Sequence, residues 1–393
     1  MTTAAESRGG KEVPGVGGAR ETAFAEVLAE WPVERVRELI YSRNSDHVRR
    51  AMRAKRFAPA DLAALLAPAA ADFLEPVARQ AAVLTRQRFG YAVQFYVPLY
   101  VSNFCVNSCL YCGFNRHNRI RRMVLPYDDA VREAEHLARE GFRHLLLVSG
   151  EDPEGVPVDY FEELAERLRG KFASLNIEIY PLDEAGYRRL VEAGVDSLTL
   201  YQETYDRDAY RRFHPAGPKR NFSYRLGAVE RGARAGISFL GVGALLGLTD
   251  WRIDSFYVGL HAHYLQTHYW RQHVSISFPR LRHAAGDFTP PYPVSDAALV
   301  QVMCGLRLQL PDAGLVLSTR ESARFRDHVL PLGITRISAG SRTTPGGYSE
   351  ETKAEGQFDV QDRRSLREVM DAIAARGFDP VCKDWDSSYH ARL

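Results

Sequence analysis

The chain has 393 residues, of which 45% are hydrophobic and 25% are charged, as in an ordinary globular protein. Lysine and arginine number 51 against 49 aspartate and glutamate residues, so no basic excess points to a nucleic-acid partner. No apolar run approaches the roughly 18 residues of a membrane span, and the start of the chain lacks the hydrophobic core of a secretion signal. We therefore expect a protein of the reducing cytoplasm with no membrane partner.

The first part of the chain is predicted to be a leader followed by helices. Residues 1–20 are rich in glycine and alanine, and we expect them to form a disordered leader. Residues 21–92 are predicted to form a helical extension, because Phe24, Val27, Leu28 and Trp31 recur at helical spacing. We expect this extension to pack outside the main domain.

Residues 93–341 alternate between strand and helix patterns. The strands are predicted at 94–101, 144–148, 177–180, 196–201, 238–242, 275–278, 315–318 and 335–338, with helices at 128–140, 159–169, 183–193, 222–235, 254–268, 296–310 and 322–328. Regular alternation implies a parallel sheet with right-handed crossovers, and eight repeats over roughly 250 residues match a closed (β/α)8 barrel of the TIM type. The alternative is an open doubly wound sheet, which is weakened because no G-x-G-x-x-G follows the first strand.

Three cysteines lie in the loop after the first predicted strand. Cys105, Cys109 and Cys112 are spaced C-x3-C-x2-C, and soft thiolates this close suit an iron–sulfur cluster or zinc. A 4Fe–4S cluster usually takes four cysteines, so three leave one iron open. S-adenosylmethionine suits that iron, because its amino and carboxylate groups can chelate it. Tyr111, just before the last cysteine, favours this radical-forming cofactor pair.

Two other interpretations of the cysteines stay open. A Cys3His zinc site would recruit His117, five residues after Cys112. A disulfide with one free thiol is disfavoured in a reducing compartment. The remaining Cys304 and Cys382 are predicted to be structural, and two scattered cysteines cannot hold a second all-cysteine cluster.

The residues that follow the predicted strands are polar or glycine, as expected where a barrel carries its site. Glu151 and Glu203 are candidates to accept hydrogen bonds from the amino group or ribose of a nucleoside, and Gly150 lets the backbone approach its methionine end. Arg320 suits a bidentate pair with a substrate carboxylate, and Arg225 a pair with that of S-adenosylmethionine.

Each arginine also has a structural interpretation. Arg320 follows the seventh strand, where Glu321 and Asp327 are possible partners for a simple ion pair. Arg225 lies in a predicted helix and could occupy its solvated face. The sequence leaves both alternatives open. Residues 342–393 are predicted to form a C-terminal extension that packs on the barrel.

Several long blocks resemble a known family, the 2-iminoacetate synthases, which are tyrosine lyases of thiamine biosynthesis. The resemblance covers about residues 62–389. The matching blocks are TRQRFG, FYVPLYVSNFCVNSCLYCGF, HLLLVSGE, YQETY, GVGALLGLTDWRIDS, HYWRQHVSISFPRLR, LSTRES and KDWDSSY.

The resemblance implies a radical S-adenosylmethionine lyase that cleaves the Cα–Cβ bond of L-tyrosine to 2-iminoacetate and p-cresol. Cys105, Cys109 and Cys112 would hold the 4Fe–4S cluster, and Glu151, Glu203 and Arg225 would contact S-adenosylmethionine. Ser318 and Arg320 would hold the amino acid. The implied partners are a thiazole synthase and a reductase or flavodoxin-type electron donor.

Departures from the family pattern bear on the alternatives. The usual G-G-E at the second strand appears as Ser149-Gly150-Glu151, which keeps the glutamate and the nearer glycine. The related tyrosine lyases of hydrogenase maturation carry a C-terminal cysteine triad, whereas this C-terminal region has only Cys382. The rival functions are a tryptophan lyase, a deazaflavin-cofactor synthase subunit and a non-catalytic zinc module.

Overall fold

A computed structural model describes residues 23–286 and 288–383, so the predicted leader and most of the KDWDSSY block lie outside the described residues. The part before the barrel is helical, as predicted. A short 3-10 helix at Pro68–Phe73 interrupts the α-helices. These helices are α1 (Ala23–Ala29), α2 (Val33–Tyr41), α3 (Ser45–Ala51), α4 (Pro59–Leu66) and α5 (Leu74–Phe89).

Alternating strands and helices follow. The strands are β1 (Ala92–Ser102), β2 (His144–Ser149), β3 (Ser174–Glu178), β4 (Ser197–Thr199), β5 (Phe239–Gly243), β6 (His273–Ser277), β7 (Gly314–Leu317) and β8 (Arg336–Ser338). The helices are α6 (Tyr127–Arg139), α7 (Val158–Leu168), α8 (Glu184–Ala193), α9 (Arg207–Phe213), α10 (Phe222–Leu226), α11 (Ala228–Ala235), α12 (Trp251–His268), α13 (Asp296–Gln309) and α14 (Ala323–Val329).

The eight strands close into a parallel barrel. β1 pairs with β2 through Val97 and Leu145, and on its other side with β8 through Phe95 and Ile337. The predicted (β/α)8 barrel is therefore confirmed, and the open doubly wound alternative is wrong, because the pairing of β8 with β1 and of β1 with β2 closes the sheet on itself. The carboxyl ends of all eight strands lie at one mouth, where this fold carries its active sites.

The N-terminal helices pack against the outer helices of the barrel. Gln301 of α13 donates hydrogen bonds to the carbonyl oxygens of Leu65 and Ala67, each 2.9 Å long. At Gly259 of α12, a Cβ atom would lie 2.4 Å from the Leu62 side chain, so only glycine admits this contact. These contacts place α4 and the segment after it against α12 and α13.

Some predicted boundaries are wrong. β3 spans 174–178 and not 177–180, so it ends at Glu178. The helix predicted at 222–235 is two helices, because the chain breaks at Gly227, and α9 with a 3-10 turn at Pro218–Arg220 was not predicted. The short α9 is capped by Asp206, whose carboxylate accepts two backbone N–H groups.

The chain after β8 returns to the barrel. It forms α15 (Leu366–Ala374), whose Ser365 and Glu368 make a reciprocal capping box, and a ninth strand, β9 (Asp379–Val381), which pairs with the start of β1. This strand was not predicted. The domain boundaries at 21–92, 93–341 and 342–393 stay a prediction. None of the helices in the described part of the chain is both long and apolar enough to cross a membrane.

Candidate active site

The cysteine loop lies at the carboxyl end of β1, at the mouth where the predicted site residues gather. Its backbone is held by neighbouring segments, since the Val106 N–H donates to the Glu151 carbonyl (2.8 Å) and the Leu110 N–H to the Phe213 carbonyl (3.1 Å). Cys109 is buried in an apolar cluster with Tyr111 and Phe213. Hydrogen bonds and apolar contacts with neighbouring segments therefore hold the loop in place.

The chemistry of the three thiols fits a cluster. The Cys105 sulfur accepts a hydrogen bond from the Asn107 amide (3.7 Å), and the Cys112 sulfur accepts one from the Gln357 amide (3.9 Å). Amide donors of this kind stabilise cluster-bound sulfur and tune its potential. Burial raises the pKa of the Cys109 and Cys112 thiols, so the protein environment without metal favours their neutral form.

The alternatives for the cysteines are less well supported. Within residues 23–286 and 288–383, no three His, Cys, Asp or Glu side chains converge closely enough to hold one metal ion. A cluster binds each cysteine through a different iron, whereas zinc draws all its ligands to one point. His117 faces the Ser108 hydroxyl instead (3.1 Å). All five cysteines are free thiols, and Cys304 is a buried core residue as predicted.

Tyr111 anchors the loop from within. Its hydroxyl donates to Nε2 of the buried His214 (2.7 Å), and Nδ1–H of that ring donates to the Tyr210 carbonyl (2.7 Å). Burial lowers the pKa of His214 to about 3, which keeps the ring neutral and fixes these two roles. The ring of Tyr111 also lies 5.8 Å from the Lys219 ammonium.

Glu203 is the centre of a buried network of charges. Its carboxylate binds the Lys219 ammonium (2.7 Å) and the Arg225 guanidinium (3.3 Å), and Arg225 also donates to the Tyr201 carbonyl (2.8 Å). Burial alone would raise the pKa of the Glu203 carboxyl, but Lys219 and Arg225 outweigh it and hold that pKa below its usual value. Arg225 is buried, so its interpretation as a solvated helix residue is wrong.

Glu203 also has an unusual backbone. Its φ of +72° lies in the left-handed region, and it is the one non-glycine residue with a positive φ among the described residues. Such strain persists only where the surroundings impose it, which they often do at functional sites. The following Thr204 hydroxyl and Tyr205 N–H both donate to the buried Asp254 carboxylate (2.9 and 3.0 Å). Asp254 therefore helps to fix the segment that presents Glu203.

Glu151 and Gly150 lie against the cysteine loop. The Glu151 carboxylate accepts a hydrogen bond from the Asn107 amide (2.6 Å). At Gly150, a Cβ atom would lie 2.1 Å from the Phe104 carbonyl oxygen, so the glycine admits the cysteine loop itself. The close approach expected at Gly150 is thus made by protein backbone.

Two adjacent cavities occupy the mouth of the barrel. The outer cavity lies beside the cysteine loop and is lined by Tyr111, Cys112, Glu203, Lys219, Leu245 and Arg282. The inner cavity lies within the barrel and is lined by Tyr96, Tyr100, Leu146, Val148, Val316 and Ser318. The wall between them is shared, because both cavities are lined by Glu178, Tyr201, Arg320 and Phe358.

Arg320 faces this shared wall. Its guanidinium carbon lies 3.3 Å from the centre of the Phe358 ring, and it makes no ion pair within 4.0 Å with another described residue. The two acids weighed as its partners are engaged elsewhere, since Glu321 binds Arg280 and Arg282, whereas Asp327 binds arginines of the C-terminal segment. The ion-pair interpretation of Arg320 is therefore wrong. Ser318 lines the inner cavity two residues away.

The sequence missed four residues of this site. Glu178 was placed inside a strand because the boundary of β3 was misjudged, although its position at a strand end would have marked it. Lys219 follows a proline in an irregular segment with no pattern of its own. Phe358 and the neighbouring Gln357 come from the C-terminal segment, where the Gly113 N–H donates to the Gln357 carbonyl (3.3 Å).

Comparisons with known proteins agree with this geometry. The sequence profile of the Radical SAM superfamily matches residues 99–257, and that of the Biotin and Thiamin Synthesis associated domain matches residues 277–379. The chain is 46% identical over 359 residues to 2-iminoacetate synthase of Salmonella typhimurium strain LT2, which covers 91% of this chain and 95% of that protein. The enzyme of that name from Escherichia coli strain K12 matches with the same identity and coverage.

A solved structure shares the fold over nearly the whole chain. The FeFe-hydrogenase maturase HydG from Carboxydothermus hydrogenoformans superposes with a TM-score of 0.81 at 33% identity, covering 93% of this chain and 84% of that one. Sequence identity of 46% over almost the full length of two curated relatives is the stronger likeness. The chain belongs to the 2-iminoacetate synthase family and is a radical S-adenosylmethionine lyase, a class that works with a 4Fe–4S cluster and S-adenosylmethionine.

Proposed function

We propose that this protein cleaves the Cα–Cβ bond of L-tyrosine to 2-iminoacetate, with p-cresol, 5′-deoxyadenosine and methionine as the other products. The proposal goes beyond family membership, because it names the substrate. It is supported by the names of the two relatives and by the chemistry of the two cavities.

One observation carries the proposal. Arg320 is a cation without an ion-pair partner among the described residues, and it lies on the wall between an outer cavity that reaches Cys112 and an inner cavity with apolar and aromatic sides. Arg320 is partly buried, and a charge removed from water without a counter-ion costs stability, which a ligand of opposite charge would offset. An amino acid with a carboxylate at one end and an aromatic ring at the other matches that wall and the inner cavity.

The residues divide into two groups by cavity. Cys105, Cys109 and Cys112 would hold the cluster, with Tyr111, Gly150, Glu151, Glu203 and Arg225 around S-adenosylmethionine. When bound, the two groups would supply the radical chemistry that removes a hydrogen atom from the substrate amino group. Ser318 and Arg320 would hold the amino-acid carboxylate, with Arg320 as the bidentate partner. A substrate held inside the barrel mouth would be shielded from water, which would hydrolyse the imine product.

The proposal includes two partners and a location. The 2-iminoacetate would pass directly to a thiazole synthase, which builds the thiazole ring of thiamine, because a free imine does not survive in water. A reductase or a flavodoxin-type protein would supply the electron. Both steps belong to the reducing cytoplasm, where thiol ligands stay reduced.

The decisive experiment is an anaerobic assay of the reconstituted protein with tyrosine and, separately, with tryptophan. We expect p-cresol and 5′-deoxyadenosine to form in equal amounts with tyrosine, and neither indole products nor excess 5′-deoxyadenosine with tryptophan. Turnover of tryptophan in place of tyrosine would overturn the proposed substrate. Protein that binds zinc and no iron after reconstitution would overturn the whole reaction.

A further inference from the structure

Glu178 stands at the junction of the two cavities and has no role in the function described above. It is the last residue of β3 and pairs in register with Val148 of β2. Paired residues of neighbouring strands point to the same face, and Val148 also lines the inner cavity, so both side chains point to the barrel interior. There it lines both the inner and the outer cavity, together with Arg320.

The Glu178 carboxylate is unpaired, in contrast to the other acids of the site. Glu203 is held by Lys219 and Arg225, and Glu151 by Asn107. For Glu178, no salt bridge within 4.0 Å and no side-chain hydrogen bond joins it to another residue in the described ranges. Burial has the largest effect on the Glu178 carboxyl and raises its pKa, the more distant Arg320 lowers it, and the resulting pKa is about 7.

An unpaired carboxylate, Glu178, and an unpaired guanidinium, Arg320, lie on one wall and together match the two charges of a zwitterion. An α-amino acid carries a carboxylate and an ammonium group on the same carbon, so one ligand can neutralise both Arg320 and Glu178. The apolar and aromatic sides of the inner cavity, which include Tyr100 and Leu146, then receive the side chain of the amino acid. This placement leaves the amino group at the edge of the outer cavity, towards Cys112.

We propose that Glu178 binds the substrate ammonium group and accepts one of its protons before the hydrogen atom is removed, an inference that rests on the proposed function. The step is a simple proton transfer: the N–H bond of the ammonium breaks heterolytically, the carboxylate becomes a carboxylic acid, and the amine keeps the electron pair. No oxidant or reductant is consumed. A carboxylate whose pKa lies close to neutral pH is well suited to accept and release a proton in this way.

The test compares two ligands that differ only in the amino group. L-Tyrosine and 3-(4-hydroxyphenyl)propanoate share the carboxylate and the phenol, and their binding to the cluster-loaded protein with S-adenosylmethionine can be titrated without reductant. In Glu178→Gln we expect the affinity for tyrosine to fall at least about tenfold, the loss typical of a removed charge-assisted hydrogen bond. The affinity for the propanoate should stay within about twofold.

Two further variants control the comparison. Glu192→Gln removes an exposed carboxylate from the outer helix α8 and should change neither affinity. Glu178→Asp keeps the charge on a shorter side chain and should recover part of the loss. Circular dichroism of each variant shows that the fold is kept, and if Glu178→Gln does not fold, the Glu178→Asp comparison decides alone.

The outcomes separate this inference from the proposed function. If Glu178→Gln weakens both ligands equally, weakens neither, or weakens only the propanoate, the role of Glu178 is wrong while tyrosine cleavage stands. If the wild-type protein binds tryptophan and not tyrosine, the proposed substrate is wrong. The same comparison then runs with L-tryptophan and 3-indolepropanoate and still tests Glu178.

Discussion

The two cavities differ in how their charges are satisfied. In the outer cavity, Glu203 is tied to Lys219 and Arg225 within the protein. In the inner cavity and its shared wall, Glu178 and Arg320 have no ion-pair partner among the described residues. Charges that are paired within the protein fix the positions of their side chains, whereas unpaired charges lower the stability of the folded protein until a ligand pairs them. The charges of the outer cavity are thus paired before a ligand binds, whereas those of the shared wall are left for a ligand to pair.

The cysteine loop bounds the outer cavity and gives the largest expected effect. Replacing Cys112 by alanine removes one of three thiolates, so we expect the protein to retain almost no cluster iron and to lose tyrosine cleavage below detection. Iron analysis and the visible absorbance of the reconstituted protein measure this. Cys382→Ala, outside both cavities, serves as the matched control and should keep full iron content. Equal iron content in the two variants would show that Cys112 does not hold the cluster.

The unpaired arginine gives the next largest effect. Arg320→Ala should weaken tyrosine binding by roughly a hundredfold, because a bidentate pair with a carboxylate is lost. Arg320→Lys keeps the charge without the planar fork and should recover only part of this loss. The affinity for S-adenosylmethionine should change less than about threefold, since the residues proposed to contact it include Glu203 and Arg225 but not Arg320. Calorimetric titration with each ligand decides, and an equal loss for both would place Arg320 in the cofactor site instead.

These sites were predictable to very different degrees. The cysteine motif is local in sequence, and Arg320 follows a strand whose place in the barrel is set by the strand–helix period, so the sequence could name both as candidates. Glu178 was missed because a shift of the β3 boundary by two to three residues moves a residue from a strand end to a strand interior. Phe358 and Lys219 were missed because irregular segments bring them to the site, and no periodicity describes such segments.

Removal of Glu203, the central acid of the paired network in the outer cavity, is expected to destabilise the fold. In Glu203→Gln, Lys219 and Arg225 remain buried without their carboxylate, which should lower the free energy of unfolding by about 3 kcal/mol. Urea denaturation measures this loss. Glu184→Gln provides the control, because Glu184 makes its ion pairs with Arg188 and Arg234 at the surface and should cost less than about 1 kcal/mol. Equal losses would show that the buried network is not a structural unit.

Removal of Glu178, the unpaired acid, should raise the free energy of unfolding, and this effect should be smaller than the loss expected for Glu203→Gln. The pKa of Glu178 is about 7 in the folded protein, above the usual 4.5, so the folded state holds its proton more tightly than the unfolded state. Its contribution to stability is complete at pH 4 and is lost as the pH rises through about 7. Glu178→Gln should therefore be more stable than the wild type by about 2 kcal/mol at pH 8 and show little difference at pH 4.5. Urea denaturation at both pH values measures the difference, and a Glu178→Gln variant that is less stable at pH 8 would show that the carboxylate has a partner within the protein.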